Sequence, residues 1–258
     1  MEVSFIGSGN LAWHLATALD NTEYPVREVY SRHAGNAGAL VGRLYDARIQ
    51  STLDFANSSS RIFIVAVPDD VLPEIVQEIE LPSNAILVHT SGSRPLSILE
   101  SAGARHIGVF YPLQTFSKKI KVDFTEIPVF VESDDSETER SLTTMAKAVS
   151  RKVFRISSEE RRALHVAAVF ASNFTNHMLT ISKTILSGRN LEYEFLKPLI
   201  TETINKSLSI GPEAAQTGPA RRGDLEILDS HMEFLKEDEE LSEIYRVISQ
   251  HIVDHYDA

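Results

Sequence analysis

The chain has 258 residues, 43% hydrophobic and 24% charged, enough to bury a sizeable core in one or two domains. Its 36 acidic against 25 basic side chains give a formal charge of −11, and no basic run exists to release counterions from a nucleic-acid backbone. There is no cysteine, which excludes disulfides, thiolate metal sites and cysteine nucleophiles. The start, Met1 to Phe5, lacks the basic region of a signal peptide, and no apolar stretch approaches the ~20 residues that span a bilayer. A cytoplasmic protein without nucleic-acid or membrane partners is therefore expected.

The first apolar run, Val3 to Ile6, leads directly into Gly7-Ser8-Gly9-Asn10-Leu11-Ala12. Leu11, Ala12, Leu15, Ala16 and Leu19 then recur at helical spacing, so strand, glycine turn and helix follow in the order a dinucleotide-binding turn needs. Gly7 permits the tight turn, Gly9 lets backbone approach a pyrophosphate, and Ala12 lets the helix lie close to the strand. The helix start near Asn10 points free N–H groups and a positive dipole end at the phosphates.

Short β-rich runs alternate with helical patterns from there on, which predicts a mostly parallel sheet wound on both faces. Strands are expected at 3–6, 26–30, 47–50, 62–67, 85–89, 106–110, 127–132 and 152–156, about eight in all, with a helix over 136–149. After Ile156 the strand signal stops. Ser157 and Glu160 form a capping box, and a helix is expected to run on to about Leu186. Helices over 192–210, 225–237 and 239–256 complete an all-helical second part, so the expected domains are 1–156 and 157–258.

The tip of the second strand selects the cofactor. Folds specific for NAD place an acid there, about 20 residues past the glycines, to bond the ribose 2′-hydroxyl. Ser31-Arg32-His33 stands there instead, and an arginine with a serine suits the 2′-phosphate of NADP, although the same pair also suits a solvated turn. Asp20 ends the first helix, and Glu28 lies inside the strand.

The other strand ends are where nicotinamide and substrate should meet. Val67 and Pro68 end the fourth strand, Ser91 and Gly92 follow the fifth and are expected near the nicotinamide, and Tyr111 and Gln114 follow the sixth as candidate substrate contacts. Asp69 and Asp70 read first as a helix cap and a first-turn acid. In the helical part, His165, Ser172 and Asn176 superpose within roughly 20° at about 100° per residue, with Asn173 and His177 beside them. This polar stripe either handles substrate or makes internal hydrogen bonds. Asn173 and His177 are the catalytic candidates, with His165 a further possible proton donor. The segment Gly211 to Asp224 is rich in glycine and proline. Arg221 or Arg222 can clamp a carboxylate or phosphate there, or pair across subunits, while Asp224 can cap the next helix. His165, His177, Asp224 and His231 match no short zinc spacing, so no metal is expected.

The Gly7 to Ala12 turn, the Ala66-Val67-Pro68 strand end, the His89-Thr90-Ser91-Gly92 segment and Gly218-Pro219-Ala220-Arg221-Arg222-Gly223-Asp224 resemble a family of two-domain Rossmann-type proteins along the whole chain. That family is similar to pyrroline-5-carboxylate reductases, deazaflavin-dependent NADP oxidoreductases and the 6-phosphogluconate and β-hydroxyacid dehydrogenases. The resemblance implies NADP binding, a helical C-terminal domain that forms a homodimer, and an active site between the domains. It supplies no substrate. Tyr111 stands where many members carry a histidine, and the lysine-bearing helix of the β-hydroxyacid dehydrogenases is absent. The expected function is an NADP-dependent oxidoreductase acting on a small, anionic carbonyl or imine compound; the alternative is an NADP-binding sensor or scaffold.

Overall fold

The computed structural model describes residues 1–256. It falls into two compact units, 1–177 and 178–258. The first is built on an eight-stranded sheet in the order β3-β2-β1-β4-β5-β6-β7-β8. The strands are β1 (Val3–Ile6), β2 (Val26–Tyr30), β3 (Arg48–Gln50), β4 (Ile62–Val65), β5 (Ile86–His89), β6 (His106–Pro112), β7 (Val129–Glu132) and β8 (Val153–Arg155). All neighbours pair parallel except β6 and β7, where Phe110 faces Val131 in an antiparallel register.

The reason for this sheet is visible strand by strand. In β1, β4 and β5 every residue is buried, because helices cover both faces and each side chain needs an apolar neighbour. One face packs Val3, Phe5, Ile62 and Ile64 with Leu15 and Leu19 of α1 (Asn10–Asp20) and Leu142 and Met145 of α4 (Ser136–Val149). The other packs Ile6, Phe63 and Val65 with Leu72 and Val76 of α3 (Leu72–Glu78). Each such side chain contributes about 1.5–3 kcal/mol on burial. Helix α2 (Ala34–Val41) connects β2 to β3.

Two acids near the second strand tip in sequence, Asp20 and Glu28, are spent on the fold. Asp20 accepts from the N–H groups of Val26 (2.9 Å) and Tyr45 (2.7 Å). Glu28 accepts from Ser4 (2.8 Å), Arg48 (2.6 Å) and Ser58, and these hydrogen bonds hold its carboxyl below the usual range against the opposing effect of burial.

The capping box forms as predicted: Ser157 Oγ accepts from Glu160 N–H at 3.3 Å, and Glu160 Oε2 accepts from Ser157 N–H at 2.8 Å. It opens α5 (Ser158–Ala168), which passes through a π-helical turn, Val169–Phe174, into α6 (Thr175–Ser187). The division between the compact units falls inside α6, later than the boundary expected at 156, because α5 is tied to the sheet through Arg161. The second unit contains α7 (Lys197–Ile210), α8 (Pro212–Ala215), α9 (Pro219–Arg222), α10 (Leu225–Leu235) and α11 (Glu239–Tyr256). The expected helix at 192 starts as a 3₁₀ turn at Tyr193–Leu196, and Pro198 then sits in the first turn of α7, where its missing N–H is harmless. Among the described residues no helix is long and apolar enough to cross a membrane.

Candidate functional site

Two cavities lie in the first unit at the C-terminal ends of its strands. The first, of about 480 Å³, is lined by Gly7, Ser8, Gly9 and Asn10 after β1, Ser31 and Arg32 after β2, and Val67 and Pro68 after β4. Gly7 has φ +111°, and a Cβ there would overlap the Ala66 carbonyl, so only glycine makes this turn. A Cβ on Gly9 would meet nothing within 4 Å: the space beside this backbone is open. No side chain caps α1, so its first-turn N–H groups remain for an anion. Ser8 Oγ donates to Ser31 Oγ at 2.9 Å and joins the glycine turn to the β2 tip. These features fit a dinucleotide with its pyrophosphate on α1 and its adenosine ribose beside Ser31 and Arg32.

Leu11 lies in α1 with its side chain packed on the core. Ser91 and Gly92 do not line this cavity. The polar atoms of Ser91 shape the loop after β5: its Oγ accepts from the N–H groups of Ser93 (3.1 Å) and Arg94 (2.9 Å), and its carbonyl accepts from Arg161 (2.7 Å). Asp69 does not cap α3, whose cap position is Val71. Its carboxylate instead accepts from Ser93 Oγ, and its carbonyl accepts from Arg94 Nε at 2.9 Å. The β5 loop has outcompeted the helix end for this aspartate.

The second cavity, of about 590 Å³, joins Tyr111 near the end of β6 and Gln114 just after it to His165, Ser172 and Asn173 on the helix, within an apolar wall that includes Leu113, Leu164 and Val169. Tyr111 Oη lies 3.0 Å from His165 Nδ1. Burial holds the Tyr111 phenol above its ordinary value. No Asp, Glu, Lys or Arg is among the described residues that line this cavity. Gly92 lets the β5 loop reach His165, because a Cβ there would overlap the imidazole.

The π turn explains why the expected stripe divides. Its i→i+5 bonding widens one turn and changes the phase of everything after it, so His165, Ser172 and Asn173 line the cavity while Asn176 and His177 do not. His177 is exposed. Arg222 belongs to the second unit, where it is exposed and lies 3.8 Å from Asp224. That aspartate occupies the cap position of α10 but makes no capping hydrogen bond with its side chain, in contrast to the expectation.

Arg161 is the residue that sequence reasoning missed. It is fully buried on α5, donates to Glu132 of β7 (2.9 Å), to the carbonyls of Ser91 (2.7 Å) and Arg94 (2.8 Å), and to Ser158 Oγ (3.1 Å). One guanidinium thus fixes helix α5, the β5 loop and the end of β7 in one geometry. Its position in a polar run, Ser158 to Arg162, gave no sign of burial.

Strand order, glycine turn and open α1 terminus define a dinucleotide-binding protein of Rossmann type. A family model described as a Rossmann-like domain matches residues 1–111, and one described as a domain of unknown function, DUF2520, matches residues 127–252. Among solved structures, one described as a "putative NADP oxidoreductase" from Bacteroides fragilis is 37% identical over 98% of both chains, with a TM-score of 0.87. The chain belongs to this family, which joins a Rossmann-like domain to a DUF2520 domain. It also shares its fold with an imine reductase from Myxococcus stipitatus in complex with NADP⁺ (14% identity, 98% of this chain and 92% of that one, TM-score 0.68). A reductive aminase from Aspergillus terreus in complex with NADPH and ethyl-5-oxohexanoate is similar to the same degree (14% identity, 98% and 94%, TM-score 0.74). No curated protein matches the sequence.

Proposed function

We propose that this protein is an NADP-dependent oxidoreductase that acts on a small carbonyl or imine compound. The observation that carries this reading is the placement of two cavities along one strand-end edge: one with a phosphate turn and Arg32, the other with the Tyr111 and His165 pair. The 37% identity to a protein described as an NADP oxidoreductase supports the general kind. NADP, when bound, supplies or accepts the hydride.

The chain's own residues do the rest. The α1 N–H groups and Ser8 bind the pyrophosphate, and Ser31 and Arg32 hold the 2′-phosphate. When His165 Nδ1–H donates to Tyr111 Oη, the phenol proton is free for the substrate's oxygen or nitrogen, and the Nδ1 proton then restores the phenol while His165 Nε2 takes one from water, so the imidazole stays neutral. Gln114 and Asn173 offer amide groups to the same polar atom, and the apolar wall excludes water. His177 lies outside this cavity and has no part in these steps. The protein is further read as a homodimer, because α7 exposes Leu208 (82%) and α10 exposes Leu225 (65%) and Phe234 (53%) to solvent in the single chain.

NADPH oxidation measured against imines, ketones, aldehydes and keto acids tests the reading. Turnover of at least one class is expected; tight NADPH binding with no turnover anywhere would make the protein a sensor. Light scattering should return the mass of a dimer at micromolar concentration, and a monomer would refute that part.

A further inference from the structure

Three cations gather around the first cavity of a chain whose net charge is −11: Arg32, Lys118 and, on the neighbouring ring of Trp13, Arg43. None makes an ion pair among the described residues. Arg32 follows from the β2 tip, but Lys118 comes from the loop after β6, far away in sequence. That loop is pinned to α1. His14 Nε2 donates to the Ser117 carbonyl at 2.9 Å, and Phe116 stacks on His14 (5.8 Å) and on Phe124 (5.9 Å). Lys118 Nζ is thereby held 4.9 Å from the centre of the Trp13 ring and lines the cavity. Trp13 and His14, the two α1 residues that this loop touches, lie in the first two turns of the helix whose N–H groups are uncapped. The ammonium is therefore tied to α1, the helix that the glycine turn opens, and lines the same cavity as that turn. The acids that line it, Glu74 and Glu78, belong to α3.

We infer that Lys118 is a pyrophosphate-binding residue, delivered to the glycine turn by a loop locked onto α1 through His14 and Phe116. This rests on the reading of the first cavity as a dinucleotide site. It divides the work between two cations: Lys118 holds the group common to all dinucleotides, and Arg32 holds the 2′-phosphate that distinguishes NADP.

The test uses ADP, which has the pyrophosphate without a 2′-phosphate, and 2′-AMP, which has the reverse, in calorimetric titrations of the full chain. Lys118→Met keeps an apolar stem over Trp13 and removes only the charge. It should weaken ADP about tenfold and leave 2′-AMP unchanged, whereas Lys119→Met should alter neither. Unchanged ADP affinity in Lys118→Met, with wild type binding normally, overturns the inference and leaves the dinucleotide reading intact; so does equal weakening of ADP and 2′-AMP. Wild-type protein that binds neither ADP nor NADPH overturns both.

Discussion

The two cavities differ in how they are made and in what they can recognise. The first consists largely of backbone and strand tips: a turn that only Gly7 can make, an uncapped helix, and cations that make no ion pair among the described residues. The second consists of side chains from remote parts of the chain, with Tyr111 and His165 54 residues apart and no Asp, Glu, Lys or Arg among the described lining residues. A ligand that is always the same phosphate-bearing molecule can be bound by main-chain N–H groups and point charges. A cavity with neutral polar groups in an apolar wall depends on shape and on one proton, which is how substrates are usually distinguished.

If the difference is real, damage to the second cavity's support should leave the first intact. Arg161→Ala removes one partner of a buried ion pair and frees the loop after β5, at a cost of about 3–5 kcal/mol in unfolding free energy. Chemical denaturation should record that loss, while NADPH affinity measured where the variant is still folded should stay close to wild type. Equal damage to cofactor binding would mean that the two cavities are one mechanical unit. Tyr111→Phe sharpens the same contrast without a stability penalty of that size. With any imine or carbonyl that is turned over, the rate should fall about a hundredfold with NADPH affinity unchanged, and an unaltered rate would remove Tyr111 as proton donor.

The reciprocal change belongs to the first cavity. Arg32→Ala should weaken NADPH by about ten- to a hundredfold, the loss of a charge-assisted pair, and leave NADH nearly unaffected. Equal losses for both cofactors would contradict the assignment of Arg32 to the 2′-phosphate. Trp13, the single tryptophan, lies against Lys118 and gives a fluorescence signal for these titrations.

Legibility in the sequence followed the same division. The glycine turn, the β2 tip and the Ser157 capping box depend on residues within a few positions of one another, so their spacing carried the geometry. The Tyr111 and His165 pair, buried Arg161 and the Ser117 to His14 link, 103 positions apart, exist only through tertiary packing. A helical period of 3.6 could not place His177, because the π turn at Val169–Phe174 shifts the phase before it is reached. Asp69 and Asp224 stand at helix starts, where an aspartate caps by default, yet Ser93 and Arg222 respectively lie close to their carboxylates.

The smallest expected effect concerns His89, the last residue of β5, from which departs the loop that Gly92 brings against His165. It is fully buried, and its Nδ1 accepts from the Ser91 N–H at 3.1 Å, so Nε2 carries the proton. Burial, with the Arg161 charge adding to it and the Pro95 backbone and Asp69 opposing, pushes the imidazole down to about 3. Above about pH 6.5 His89 is neutral in both the folded and the unfolded chain and has no effect on their balance. As pH falls from there toward 3, the unfolded chain takes up a proton that the folded chain refuses, so stability is lost by up to about 1.4 kcal/mol per pH unit. His89→Leu leaves the Ser91 N–H without its acceptor and should be about 1–3 kcal/mol less stable at pH 7, but its stability should fall less steeply below pH 6.5. Denaturation midpoints at pH 7, 6 and 5 compare the two slopes. Parallel slopes would show that His89 is protonated in the folded protein and that the interior beneath the β5 loop is wetter than its packing implies.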